Sequence, residues 1–390
     1  MRHVTFLAAT FAAALYATAT SAAPGVTDDK IVIGGTNAMT GPVAAVCSAV
    51  THGAQAWFHK VNEAGGVHGR MIDYVVLDDA YSAQRAVGNT RRLVQQDDVF
   101  AMFGGCGTAT AAGVLSFLKS QPDVPYLFPY AGLRELLEPL KPGVFALMPL
   151  YDQQLVAILP YVIEQMDPKP KTGAILSNNI AGVEAWREAS KKTFDEYGIE
   201  LVYDDLMEVT SPERAAFVVQ MKAKNPDLAV IADAAPGGAR IYQEMKRQGW
   251  KPKMSTGIGT FTAEQFLSQV SDVAEGILIA PGFVVPPTDP AAAACNAALK
   301  VTNPDIEPNH FSVFGCLTAA VLVEAFDRAG RDLTREKLIA ALESMDGFET
   351  GISGPVTFSS ESHLGLDSVI PFGVKDGNFV VLGSPIKAAN

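Results

Sequence analysis

The sequence predicts an α/β protein of two doubly wound domains, each built on a parallel sheet. Three observations carry this. Short apolar runs alternate with helix-period segments nearly from end to end, the pattern of βαβ units. The alternation occurs twice, over about 30–147 and again over about 152–280. The chain has 390 residues, with 48% hydrophobic and 18% charged side chains, a globular balance in a length that exceeds what one core usually serves.

In the first half, Ile31–Gly34 reads as a strand. Val43–Ala64 is a helix, because Val46, Val50, Ala54, Trp57, Phe58 and Val61 recur at three- and four-residue steps, and Gly65 and Gly66 end it. Met71–Leu77 is the second strand, and Ser82 caps a helix to about Val94. Val99–Phe103 is a strand followed by a helix over Thr108–Lys119. Tyr126–Phe128, after Pro125, and Val144–Leu147 are short strands.

The second half repeats the theme. Asp152–Gln165 is helical, Gly173–Leu176 a strand, Ala181–Tyr197 a helix stopped by Gly198, and Ile199–Tyr203 a strand. Ser211 with Pro212 at the first helical position predicts the next helix start. Leu228–Ala232 is a strand and Pro236–Gln248 a helix ended by Gly249. Thr262 and Gln265 form a T-x-x-Q capping box, and Gly276–Ala280 is a strand. The last third differs: helices over 289–301, 311–329 and 334–344, then short strands over 356–358, 369–374 and 379–382. It is too small for a third domain and is expected to divide between the two.

Met1–Ala22 has the pattern of a secretory signal: Arg2, an uncharged apolar stretch over 4–17, and small residues at 19 and 21–23. Cleavage is expected after Ala22, without a lipid anchor, since no cysteine stands nearby. No later uncharged run has membrane-spanning length. The net charge of −12, with no Lys/Arg cluster, excludes a nucleic-acid partner, which would demand basic surface. Four cysteines in an oxidising compartment permit two disulfides. Cys47–Cys106 and Cys295–Cys316 are the expected pairs, with free buried thiols the alternative. No C-x-x-C pair points to a redox centre or zinc ribbon.

The stretches I-V-I-G-G-T-N-A-M-T-G-P (31–42), G-A-Q-A-W-F-H-K-V-N-E-A-G-G-V-H-G-R (53–70), V-V-L-D-D-A (75–80), F-G-G-C-G-T-A-T (103–110), A-E-G-I-L (274–278) and S-G-P-V-T-F (353–358) give the chain a resemblance. In order and spacing it resembles the periplasmic substrate-binding proteins of ABC importers, in particular the branched-chain amino acid (Leu/Ile/Val) receptor group with its type I periplasmic binding fold. The resemblance implies two lobes joined by a three-segment hinge, with a ligand cleft between them. Crossovers near 150, 279 and 353 would divide the chain into an N-terminal lobe (23–149 plus 280–352) and a C-terminal lobe (150–279 plus 353–390).

Ligands of open parallel sheets sit beyond the carboxyl ends of the strands, where helix N-termini favour anions. The best such place is Gly104–Thr110, with Cys106, Gly107 and Thr108; the resemblance places ligand-carboxylate contacts here. A tight strand-to-helix turn with capping threonines is the structural alternative. A dinucleotide loop fits poorly, since G-G-C-G-T-A-T lacks the G-x-G-x-x-G spacing. Tyr130, Ala131 and Gly132 follow the next strand. Gly132 stands where amino-acid-binding members carry a hydroxyl, and Ile258 where they carry the acidic partner of the α-ammonium. Asp233 is the nearest acidic substitute, with helix capping the competing role. The family's aromatic lid positions match Ala181 and Ala234. Asn179, near Ala181, joins the candidates, and Phe261, Tyr130, Tyr151 and Phe103 are expected to line a more apolar cleft, with core packing the competing role.

No G-x-S-x-G elbow or H-E-x-x-H motif marks an enzyme, and His52 and His59 lack an acidic partner pattern. Asp78 and Asp79 suggest a metal, but strand-end aspartates more commonly cap turns. The expectation is a monomeric periplasmic receptor, without cofactor, metal or catalytic residues. It would trap a small molecule by hinge closure and pass it to an inner-membrane ABC permease, with a sensor for a signalling partner as the alternative. The missing ammonium site favours a carboxylate with an apolar or aromatic body over a branched-chain amino acid.

Overall fold

A computed structural model describes residues 23–179, 182–208 and 213–387. The expected signal segment, the expected helix start at Ser211 and Pro212, and Ala181 lie outside the described residues. In chain order the elements are β1 (Lys30–Asn37), α1 (Ala44–Glu63), β2 (Met71–Asp78), α2 (Ala83–Gln95), β3 (Ala101–Phe103), α3 (Thr108–Leu118), β4 (Tyr126–Leu127), β5 (Val144–Phe145), α4 (Tyr151–Gln165), β6 (Thr172–Asn178), α5 (Val183–Tyr197), β7 (Glu200–Met207), α6 (Ala215–Lys224), β8 (Leu228–Ala232), α7 (Ala235–Arg247), β9 (Met254–Gly257), α8 (Glu264–Ala274), β10 (Ile279–Gly282), α9 (Ala293–Thr302), α10 (His310–Ala329), α11 (Arg335–Glu343), β11 (Ser368–Lys375), β12 (Asn378–Val381) and β13 (Ile386–Lys387).

The first sheet is parallel, in the order β2-β1-β3-β4-β5. Its period-2 alternation feeds two helical layers. Ile31, Ile33, Ala101 and Phe103 pack in the cluster that holds Phe58 of α1 and Phe314 of α10. Met102 and Val32 pack in the one that holds Leu93 of α2 and Val114 of α3. By length and composition α10 could cross a membrane, but it is packed in this core beside α1.

The second sheet runs β7-β6-β8-β9, all parallel, and continues through a parallel bridge between Ser255 and Leu278 into β10. From there it turns antiparallel, through β10-β11-β12. The lobe is therefore parallel with an antiparallel edge supplied by the chain's end.

Three segments cross between the lobes: one after β5, one after β10, and one before β11. The second crossing pairs with residues 352–353, with the Val285 N–H donating to the Ile352 carbonyl at 2.8 Å. The third crossing does not sit at 353. Residues beyond it stay on the first lobe, where Phe358 stacks on Phe128 at 5.9 Å and meets Phe145 edge-on at 5.3 Å. The Ala146 N–H donates to the His363 carbonyl at 2.9 Å, and the Gly365 N–H to the Ala146 carbonyl at 2.8 Å. The chain passes over only near Leu366, just before β11. Val356–Phe358 is accordingly an isolated bridge to Phe348 and not a strand.

One helix start differs from expectation. Thr262 does not cap α8: its hydroxyl donates to the Gly259 carbonyl at 2.7 Å inside a 3-10 turn, and α8 begins two residues later.

Glu264, at the start of α8, reaches α10 and accepts the His310 backbone N–H at 3.0 and 3.2 Å. Burial pushes its carboxyl up to about 7, against the pull of that N–H and its own. The folded state thus holds a proton that the unfolded chain, near 4.5, has already lost. Glu264 favours folding most below about pH 4.5, and that contribution disappears as pH rises through 7. Glu264→Gln, which keeps an acceptor, is expected to stabilise the protein above pH 7 by on the order of 1–3 kcal/mol and to flatten its pH dependence between 4.5 and 7. Urea melts across that range check this; parallel wild-type and variant curves would contradict it. The His310 imidazole is fully buried and held down to about 3 by that burial, hence neutral, and neither ring nitrogen has a hydrogen-bond partner among the described residues.

Candidate ligand-binding cleft

Where the carboxyl ends of the two sheets face each other there is a cavity of about 420 Å³. The first lobe contributes Pro42, Val43 and Val46 at the start of α1, the Cys47–Cys106 disulfide, Tyr81, Gly107, Thr108 and Tyr130. Tyr151, at the first crossing, closes one side. The second lobe contributes Asn178, Arg214, Asp233 through Gly237, Arg240, Ile258, Thr260, and the α8 residues Gln265, Phe266 and Gln269.

The glycine-rich turn after β3 is fixed by backbone bonds. Gly105 N–H donates to the Asn37 side-chain oxygen at 3.1 Å, tying the opening strand's end to the loop. Gly107 N–H donates to the Tyr130 carbonyl at 3.0 Å, and Tyr130 N–H to the Gly105 carbonyl at 2.8 Å. Gly107 has φ +113, and a Cβ there would stand 2.4 Å from the Tyr81 ring, so only glycine serves. Thr110 bonds back to the Cys106 carbonyl at 3.0 Å, which leaves the Thr108 hydroxyl facing that of Tyr151 at 3.4 Å.

Both expected disulfides are present. Cys47 and Cys106 join the first turn of α1 to this loop, with Cα atoms 5.3 Å apart; Cys295 and Cys316 join α9 to α10 at 6.0 Å.

On the opposite wall both carboxylate oxygens of Asp233 are engaged. One carboxylate oxygen accepts from the Asn178 amide at 2.6 Å and the Ala234 N–H at 2.8 Å; the other accepts from Arg214 Nε at 3.0 Å. Both side chains of the ion pair are 3% exposed. Burial holds the Asp233 carboxyl above its ordinary value, although Arg214 and the N–H donors pull it down. Arg240, exposed on α7 at the cavity, makes no hydrogen bond or ion pair among the described residues.

Of the predicted site residues, Cys106, Gly107, Thr108, Tyr130, Tyr151 and Asp233 meet at this cavity. Others do not. Phe261 is fully buried, stacked on Phe266 at 4.8 Å and edge-on to Tyr242 at 6.1 Å; Phe266 is the ring that lines the cleft. Asn178 takes the place expected of Asn179, whose N–H pairs with the Met207 carbonyl. Ala131 is buried in the first lobe's core. Gly132 is buried and does not line the cavity, and the Tyr151 ring stands 2.6 Å from where its Cβ would be, so a hydroxyl side chain there has no room. A Cβ on Gly182 would come within 2.7 Å of the Gly132 carbonyl oxygen, so the two lobes touch at this point. Asp78 and Asp79 cap turns: Asp78 accepts from the Thr40 hydroxyl and Ala80 N–H, Asp79 from the Thr36 hydroxyl and Tyr81 N–H.

Tyr81, Arg214, Arg240 and Phe266 were not anticipated. Only the placement of α7 and α8 at the cleft could have marked the last two.

Residues 30–378 match the family described as Periplasmic binding protein. A Leu/Ile/Val-binding protein homolog 3 from Brucella melitensis biotype 1 is 25% identical over 352 residues, covering 90% of this chain and 93% of the relative. The structure of a fatty acid ABC transporter substrate-binding protein from Thermomonospora curvata superposes with a TM-score of 0.82 at 20% identity, over 94% of this chain and 95% of the other. A branched chain amino acid ABC transporter structure from Thermus thermophilus, with bound valine, gives 0.81 at 21% identity, over 93% and 97%. With the fold, the facing sheets and the family match together, the chain belongs to the periplasmic binding protein family.

Proposed function

We propose that this protein is the periplasmic solute receptor of an ABC importer, and that its ligand is a carboxylate with an apolar or aromatic body and no ammonium group. One observation carries the ligand class. Asp233 is the single carboxylate lining the described cavity, and Arg214, Asn178 and Ala234 already occupy it. A zwitterionic amino acid would bury an ammonium without a counter-charge, at a cost of several kcal/mol. The wall chemistry agrees: Val43, Val46, Tyr81, Tyr130, Tyr151, Ile258 and Phe266 offer apolar and aromatic surface, and the α3 N-terminus faces the same space.

The relatives favour a second reading, a branched-chain amino acid, by the names they carry and by the valine in the Thermus thermophilus structure. The fatty acid receptor superposes as well, and its ligand class has the proposed chemistry. In either reading ligand bridges the two lobes, shifts the population to the closed form and presents that form to the permease.

A thermal-shift screen of the purified protein against phenylacetate, benzoate, octanoate, leucine and valine separates the readings. The acids are expected to raise the midpoint, as any ligand of the folded state does. Shifts with leucine or valine and none with the acids would overturn the ligand class.

A further inference from the structure

We infer that Arg240 is a specificity-determining residue, meeting the ligand's carboxylate from the second lobe; this rests on the reading that the ligand is an anion without an ammonium. The charged side chains at the cavity are Arg214, Asp233 and Arg240. The first two are an ion pair sealed from solvent. Among the described residues Arg240 is the remaining charge, so their side chains at the cleft sum to one positive charge with no described carboxylate to meet it.

Its position suits the task. Pro236, Gly237 and Arg240 are spaced three and four residues apart on α7, hence on one stripe of the helix, and all three line the cavity. The opposite stripe is anchored by buried Ile241, Tyr242 and Met245, and the Tyr242 hydroxyl bonds that of Ser255 at 2.6 Å. The guanidinium therefore stands at the cavity on a fixed backbone, and its planar fork matches a carboxylate. Because α7 belongs to the second lobe, the contact adds to those of the first lobe only when the cleft is shut. Ligand charge thus feeds into closure and not merely into docking on one lobe.

The test compares wild type, Arg240→Gln and Arg240→Lys by calorimetry with two acid/amide pairs: phenylacetate with phenylacetamide, and octanoate with octanamide. Arg240→Gln is expected to weaken the acids about tenfold to hundredfold, the worth of a charge-assisted hydrogen bond, and to leave the amides within about twofold. Arg240→Lys should restore part of the acid preference. An unchanged acid-to-amide ratio in Arg240→Gln overturns the inference while leaving the ligand class standing. Wild-type protein that binds neither acid overturns the ligand class, and this inference with it. Arg240 is exposed, so the variants should melt as wild type does.

Discussion

Arg214→Ala is expected to destabilise the protein by about 3–5 kcal/mol at neutral pH, among the largest effects of any single side-chain truncation in the second lobe. The reason is what it leaves behind. Asp233 is 3% exposed, and without the guanidinium its carboxylate keeps only the Asn178 amide and the Ala234 N–H. A buried charge without a counter-ion escapes its cost by taking a proton, so the already raised Asp233 carboxyl rises further. The folded variant then binds a proton that its unfolded chain has released. Its deficit is therefore full at pH 8 and shrinks as pH falls toward the ordinary carboxylate range. Removing both charges, with Arg214→Met and Asp233→Leu together, should recover most of the loss, because no polar group is then stranded. Urea melts at pH 5 and 8 decide the matter. A loss below 1 kcal/mol at pH 8, or a double variant no better than the single one, would refute the argument.

The two disulfides should separate stability from binding. Cys47 and Cys106 stand 59 residues apart, Cys295 and Cys316 only 21. On chain entropy alone the longer loop is worth about 4 kcal/mol and the shorter about 3 kcal/mol, the difference being close to ~0.9 kcal/mol. Replacing each pair by serines should rank the variants in that order. Affinity should respond differently: the Cys47–Cys106 bridge lines the cavity and holds the Gly107 turn against α1, whereas the other pins α9 to α10 and does not line it. Loss of ligand affinity is expected only for the first pair. Equal affinity in the two variants would show that the turn keeps its shape through the Asn37 and Tyr130 bonds alone.

The features that sequence displays well are local and repetitive. Apolar runs and glycine stops located nearly every helix and strand, because a buried parallel strand leaves no polar residue to confuse the pattern. The Gly104–Thr110 turn was readable for the same reason: its glycines are demanded by positive φ and close contact. What escaped depends on phase or on distant partners. Asn178 ends β6 and Asn179 follows it, one step apart, enough to change the side to which each side chain is directed. Phe261 and Phe266 stack on each other, and nothing in their neighbours says which ring reaches the cleft. β9, four residues with two polar ones, was too short and too mixed to stand out. The third crossing moved because Phe358 finds Phe128 and Phe145, residues more than two hundred positions earlier. The solitary charge of Arg240 exists only as a difference, visible once Arg214 and Asp233 have cancelled.

The return of the chain's last third to both sheets bears on how the protein is made. A nascent chain that has emerged only to residue 280 lacks α9 and α10, which cover the first sheet, and β11 and β12, which complete the edge of the second. Neither lobe can bury its apolar faces until synthesis is nearly finished, and pairing so distant in sequence is slow to form. A polypeptide that cannot fold early remains threadable. For a periplasmic binding protein, whose compartment lies beyond a membrane, split lobes leave an interval in which a translocation channel can take the chain before it closes on itself.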